Sequence, residues 1–142
     1  VTVAAGPVLV IGYGNPLRSD DGVGPAVVAR LAGDPRLSQA DIRAEHQLTP
    51  ELALDAGAAS LLVLVDADAA QAPGQVSVRR LVPDADPGSA WTHHLDPSTL
   101  VDLTRELWGV APPVVVISIG PASLELGEEL SPVVAAALER AA

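Results

Sequence analysis

The chain has 142 residues, 49% hydrophobic and 18% charged, with a formal net charge of −10 and no cysteine; that length suits one domain with its own core, so residues 1–142 are expected to form a single unit. The absence of cysteine excludes disulfides, thiolate metal ligands and a cysteine nucleophile, and leaves imidazole and carboxylate as the donors for any metal. The acidity disfavours nucleic acid, and no apolar run approaches the roughly 20 residues of a membrane span or the pattern of a signal peptide, so the simplest expectation is a cytoplasmic protein without a membrane or nucleic-acid partner.

Val8 to Tyr13 is a continuous apolar run, the pattern of a strand buried on both faces. It leads into Gly14-Asn-Pro-Leu-Arg-Ser-Asp-Asp-Gly22, a glycine-hinged loop with two adjacent carboxylates, and then into a helix from Gly22 or Pro25 to Leu31, ended by Gly33-Asp34-Pro35. Asp41 to Gln47 reads as a second strand, and Thr49-Pro50 as the capped start of a helix through Ala56. Leu61 to Val65 is a third, buried strand ending at Asp66. Gln75 to Val82 alternates less regularly and carries Arg79 and Arg80, which suits an edge strand, antiparallel to its neighbour.

Pro83 to Ala90 is a polar connection rich in proline and glycine, expected to be the most mobile part. Asp96-Pro97 starts a helix with Leu100, Leu103 and Leu107 on one face; Val114 to Ile119 is another buried strand; Ser131-Pro132 opens a last helix through Val134, Ala137 and Leu138. The sum is an α/β fold, a three-layer α/β/α sandwich with a mainly parallel, twisted sheet of about five strands.

In such a sheet the loops leaving the carboxyl ends of the strands converge on one crevice. Asp20 and Asp21 leave the first strand, Asp66 and Asp68 the third, and His93 and His94 precede the helix capped by Asp96. Two carboxylates and an imidazole from separate loops make an open N/O site for nickel, zinc or cobalt; the same groups also suit acid/base work without metal. Each has a plainer reading. Asp21 before Gly22 suits a helix cap, Asp66 could bond its own turn, His93 and His94 could be solvated loop residues, and His46 fits a structural or substrate-rim place. Gly12-Tyr-Gly14 lacks the third glycine of a dinucleotide fingerprint, Leu17 standing in its place. There is no Gly-x-Ser-x-Gly elbow, and Asp55-Ala-Gly57 lacks the hydroxyl residue of an aspartic-peptidase motif. Tyr13 and Trp91 flank the rim as anchors for a peptide or partner, while Trp91 and Trp108 equally suit packing against the sheet.

Ile11-Gly-Tyr-Gly-Asn-Pro-Leu-Arg-Ser-Asp-Asp-Gly-Val-Gly24, Val65-Asp-Ala67 ahead of Pro73-Gly74, Thr92-His-His-Leu95, Gly120-Pro-Ala-Ser-Leu-Glu125 and Leu130-Ser-Pro132 follow one another in this order. Over nearly its whole length the chain thereby resembles the hydrogenase maturation proteases, nickel-dependent endopeptidases that remove a C-terminal tail from the large subunit of nickel–iron hydrogenases. The resemblance implies that Asp21, Asp66 and His93 are both the catalytic and the metal-contacting trio, with His94 as the one-residue alternative to His93. It implies nickel as the ion, supplied by the precursor, with zinc or cadmium as in-vitro occupants, and the hydrogenase large-subunit precursor as partner; a monomer is the default for a chain this acidic with no obvious apolar stripe. The chain departs from the family at Glu45-His-Gln-Leu-Thr-Pro-Glu51, where members carry a Gly-Thr segment tied to substrate recognition, so the hydrogenase it serves is left open. A non-proteolytic assembly factor that checks the nickel centre, or a small metallohydrolase of another peptide, are the alternative functions.

Overall fold

Apolar runs too short for helices, bounded by glycine and proline, form the strands of the sheet. The computed structural model describes residues 7–81, 96–109, 111–125, 127 and 130–141, with the side chains of 139–141 left aside. In chain order it holds β1 (Val8–Tyr13), α1 (Val23–Leu31), β2 (Asp41–Glu45), α2 (Leu52–Ala58), β3 (Leu61–Ala67), β4 (Val76–Leu81), α3 (Pro97–Trp108), β5 (Val114–Ile119) and α4 (Pro132–Ala141). The five strands make one sheet in the order β2-β1-β3-β5-β4. β1, β2, β3 and β5 are parallel, and β4 runs antiparallel on the edge beside β5. Exposed Val78, Arg79 and Arg80 lie on that edge strand, where charge discourages further strand pairing.

Among the described residues, each face of the sheet carries two helices. On one, α2 and α3 pack Leu52, Ala53, Ala56, Leu100 and Val101 over Leu9, Ile11, Leu62, Leu64, Val114 and Val116. On the other, α1 and α4 pack Val23, Val27, Val134 and Ala137 over Val65 and Ile119. The chain leaves β1 by way of α1 toward β2, then returns over the opposite face through α2 to β3, on the other side of β1. The crossover direction therefore reverses between β1 and β3, and the carboxyl ends of these two strands open on the crevice where such sheets bind their ligands.

The expected architecture is the one observed, with local corrections. The pair Thr49-Pro50 does not begin α2. Those residues form a lead-in turn, Thr49 and Pro50 carbonyls accepting from Leu52 and Ala53 N–H, and the helix proper starts at Leu52 without a side-chain cap. β2 stops at Glu45, short of Gln47, whereas β3 continues past Asp66 to Ala67. On α3 the buried positions are Pro97, Leu100, Val101 and Thr104, while Leu107 is 55% exposed. Trp108 turns onto α2 rather than the sheet: its indole N–H donates to the Ala53 carbonyl at 3.1 Å, and a Cβ at Gly57 would stand 2.0 Å from its ring. Val82, the connection Pro83 to Ala90, Trp91, His93 and His94 lie outside the described residues.

Candidate active site

The loop after β1 is shaped by close approach. A Cβ at Gly12 would stand 2.2 Å from the Gly24 carbonyl oxygen, and one at Gly24 would stand 2.5 Å from the Val65 oxygen and 2.7 Å from the Tyr13 oxygen. Only glycine lets the start of α1 sit this tightly on β1 and β3. Gly12 is thus a packing residue, which accounts for the glycines without a dinucleotide. Gly14 has φ +146°, and a Cβ there would meet the Asp21 carbonyl oxygen at 1.9 Å. Beyond it, the Asn15 side chain accepts from Leu17 N–H at 2.9 Å, and Ser19 holds φ +50°.

The two neighbouring aspartates of this loop separate. Asp20 is wholly buried. Its carboxylate accepts from the N–H groups of Ala122, Ser123 and Ser131 at 2.8, 2.9 and 2.7 Å and from the Ser131 hydroxyl at 2.7 Å. Burial alone would raise this carboxyl, but the bonds from Ser131, Ser123 and Ala122 outweigh it and hold the group below its ordinary value. Asp20 is therefore a tether, not a rim residue, and the Ser131 hydroxyl serves it instead of capping α4. Asp21 is half-buried and accepts from Asn15 N–H at 2.7 Å. It does not cap α1, whose N-terminal flanking residue is Gly22 with no side-chain bond.

Asp66 closes β3. Its Oδ2 accepts from the Tyr13 hydroxyl at 2.7 Å, and its Oδ1 from the Ser118 hydroxyl at 2.7 Å. It does not bond its own turn; Asp68 does, accepting from Ala70 N–H at 3.0 Å. Burial pushes the Asp66 carboxyl up, with the charge of Asp68 adding and the two hydroxyls and Arg79 partly offsetting it. Burial, followed by the charge and hydrogen bond of Asp66 and then the charge of Asp96, raises the Tyr13 phenol, so it stays protonated as a donor. The N-cap Asp96 accepts from Thr99 N–H at 2.8 Å. Asp66, near the end of β3, thus holds the Tyr13 hydroxyl, and Asp21, in the loop after β1, holds the Asn15 N–H, so both carboxylates are tied to the segment that leaves β1. His46 is exposed just past β2. Among the described residues no three His, Cys, Asp or Glu side chains gather as a metal site; His93, the expected third member, lies outside them.

No sequence-family model matches the chain, and no curated protein does. Solved structures do. The hydrogenase maturating endopeptidase HybD from E. coli is 25% identical with a TM-score of 0.75, over 95% of this chain and 86% of its own. The [NiFe] hydrogenase maturation protease HycI from Thermococcus kodakarensis is 26% identical with a TM-score of 0.68, over 97% and 90%. The hydrogenase 2 maturation peptidase from a Thaumarchaeota archaeon is 25% identical with a TM-score of 0.69, over 95% and 92%. Over nearly its whole length the chain is similar in fold to the hydrogenase maturation proteases.

Within this family fold, two residues of the site are not singled out as such by sequence pattern. Ser118 lies inside the apolar run Val-Val-Val-Ile-Ser-Ile, and its one visible signal is a hydroxyl where a core strand would otherwise be apolar. Tyr13 reads as an anchor for a partner, whereas its hydroxyl is committed to Asp66. The segments Gly120–Glu125 and Leu130–Pro132 belong to the tether, since Asp20 gathers their N–H groups.

Proposed function

We propose that this chain is an endopeptidase that removes a C-terminal extension from the nickel-loaded large subunit of a nickel–iron hydrogenase, with Asp21, Asp66 and His93 as the residues that meet the nickel carried by the substrate. The observation that supports the reading is that Asp66 and Asp21 both hold the segment that leaves β1, Asp66 through the Tyr13 hydroxyl and Asp21 through the Asn15 N–H, in a fold shared with maturation endopeptidases. Carboxylate and imidazole donors suit a borderline ion such as nickel. Each Asp66 oxygen holds one hydrogen bond among the described residues, and a carboxylate oxygen can accept two, so each keeps a position for the substrate.

In this reading the substrate's nickel is the recognition handle: two carboxylates and an imidazole leave coordination positions that belong to the precursor. A precursor without the ion offers nothing to grip and is refused. Hydrolysis then requires a water on the scissile carbonyl. The water adds to the carbonyl carbon, its proton passes to a carboxylate of the site, and the amine of the tail leaves with a proton as the C–N bond breaks.

Incubating the protein with nickel-loaded and nickel-free precursor and weighing the products tests this. A tail is expected to be lost only from the loaded form, and Asp66→Asn or His93→Ala is expected to slow the loss at least about 100-fold. Intact precursor that still binds would point to an assembly factor, and equal cutting of both forms to a peptidase that does not need the ion.

A further inference from the structure

Tyr13, Asp66 and Ser118 stand in one row across three adjacent strands. Gly12 pairs with Val65 between β1 and β3, which sets Tyr13 beside Asp66, and Asp66 pairs directly with Ser118 between β3 and β5. A hydroxyl therefore approaches the carboxylate from each side, and each takes a different oxygen, both at 2.7 Å. One donor would leave the side chain free to move among its staggered rotamers and the carboxyl free to turn. Two donors on opposite oxygens define both its rotamer and its plane, because charge-assisted O–H bonds are short and directional.

The donors are themselves held. Ser118 is buried in β5, and the Tyr13 ring packs against the core beneath α2 and α3. Neither hydroxyl is needed to complete the backbone pairing of its strand. The arrangement resembles the outer partners that orient first ligands at metal and catalytic centres.

We propose that Tyr13 and Ser118 are positioning residues, which hold the Asp66 carboxylate in one orientation so that its remaining acceptor positions face the substrate. The role rests on the reading of Asp66 as a residue that meets the substrate.

The test uses Tyr13→Phe, which keeps the ring and removes the hydroxyl, and the double variant Tyr13→Phe/Ser118→Ala. Three-bond NMR couplings from the backbone N and C′ to Asp66 Cγ report its rotamer independently of activity. One rotamer is expected in the wild type and an average over several in the double variant, with the amide spectrum otherwise preserved. The kcat/KM on nickel-loaded precursor should fall about 10- to 100-fold, the loss shared between kcat and KM because Asp66 also grips the ion that the precursor carries. If the double variant does not fold, Tyr13→Phe alone is read by the same two measurements. A single rotamer in the variants, or cutting at the wild-type rate, overturns the proposal while leaving the protease reading intact. A wild type that never cuts the loaded precursor overturns the protease reading, and the positioning role with it.

Discussion

Four donors converge on Asp20 and one described donor reaches Asp21, although the two residues are adjacent. Sequence pattern places both carboxylates at the rim, because identical residue types carry no sign of which is buried; the difference arises from Ala122, Ser123 and Ser131 closing over one of them. Asp20 therefore bears on stability. Its carboxyl is held below the ordinary 3.8, the hydrogen bonds outweighing burial, so its stabilising contribution is complete above that value and is lost as pH falls through the lower folded value. Asp20→Asn is expected to cost about 2–3 kcal/mol at pH 7. Urea unfolding should show wild type and variant well separated at neutral pH and converging as the pH drops below 3.8; a gap that persists in acid would mean that the charge is not what stabilises. Asp66 was legible in the sequence as the end of an apolar strand. Its partners were not, since they come from residues 53 and 52 positions away.

Among the elements, the central strands β1, β3 and β5 follow their apolar runs closely because burial leaves little choice of residue. Helix ends follow their caps less well. Asp96-Pro97 behaves as expected, the side chain bonding Thr99 N–H, whereas the Ser131 hydroxyl is drawn to Asp20 and Thr49-Pro50 forms a turn. On α3, the leucine spacing suggests a stripe reaching Leu107, yet the last turn is drawn toward α2 by Trp108 and leaves Leu107 exposed. The contact of α1 with the sheet is the most demanding. At Gly24 a methyl group would meet backbone oxygens of Val65 and Tyr13, which cannot swing aside as a side chain can. Gly24→Ala is expected to destabilise by about 2 kcal/mol even after the roughly 1 kcal/mol gained in helix propensity. The unfolding midpoint in urea measures this, and an unchanged or raised midpoint would contradict the tight docking.

For the whole molecule, stability rests on two apolar layers, one on each face of the sheet. Metal removal is thus expected to leave the fold intact: adding a chelator should shift Tm by less than about 1 °C, unlike a domain whose folding energy comes from a structural ion. A large loss of Tm would show a resident metal that supports the fold. Hydrophobic periodicity, turn residues and composition by themselves determined the layered α/β class, the parallel core and the antiparallel edge strand, because burial on one or two faces is recorded in local residue choice. Tertiary structure alone decided the strand order β2-β1-β3-β5-β4, the reversal between β1 and β3, and the meeting of Tyr13 and Ser118 on Asp66. These depend on which face each crossover takes, a property of the packed chain that no stretch of neighbouring residues encodes.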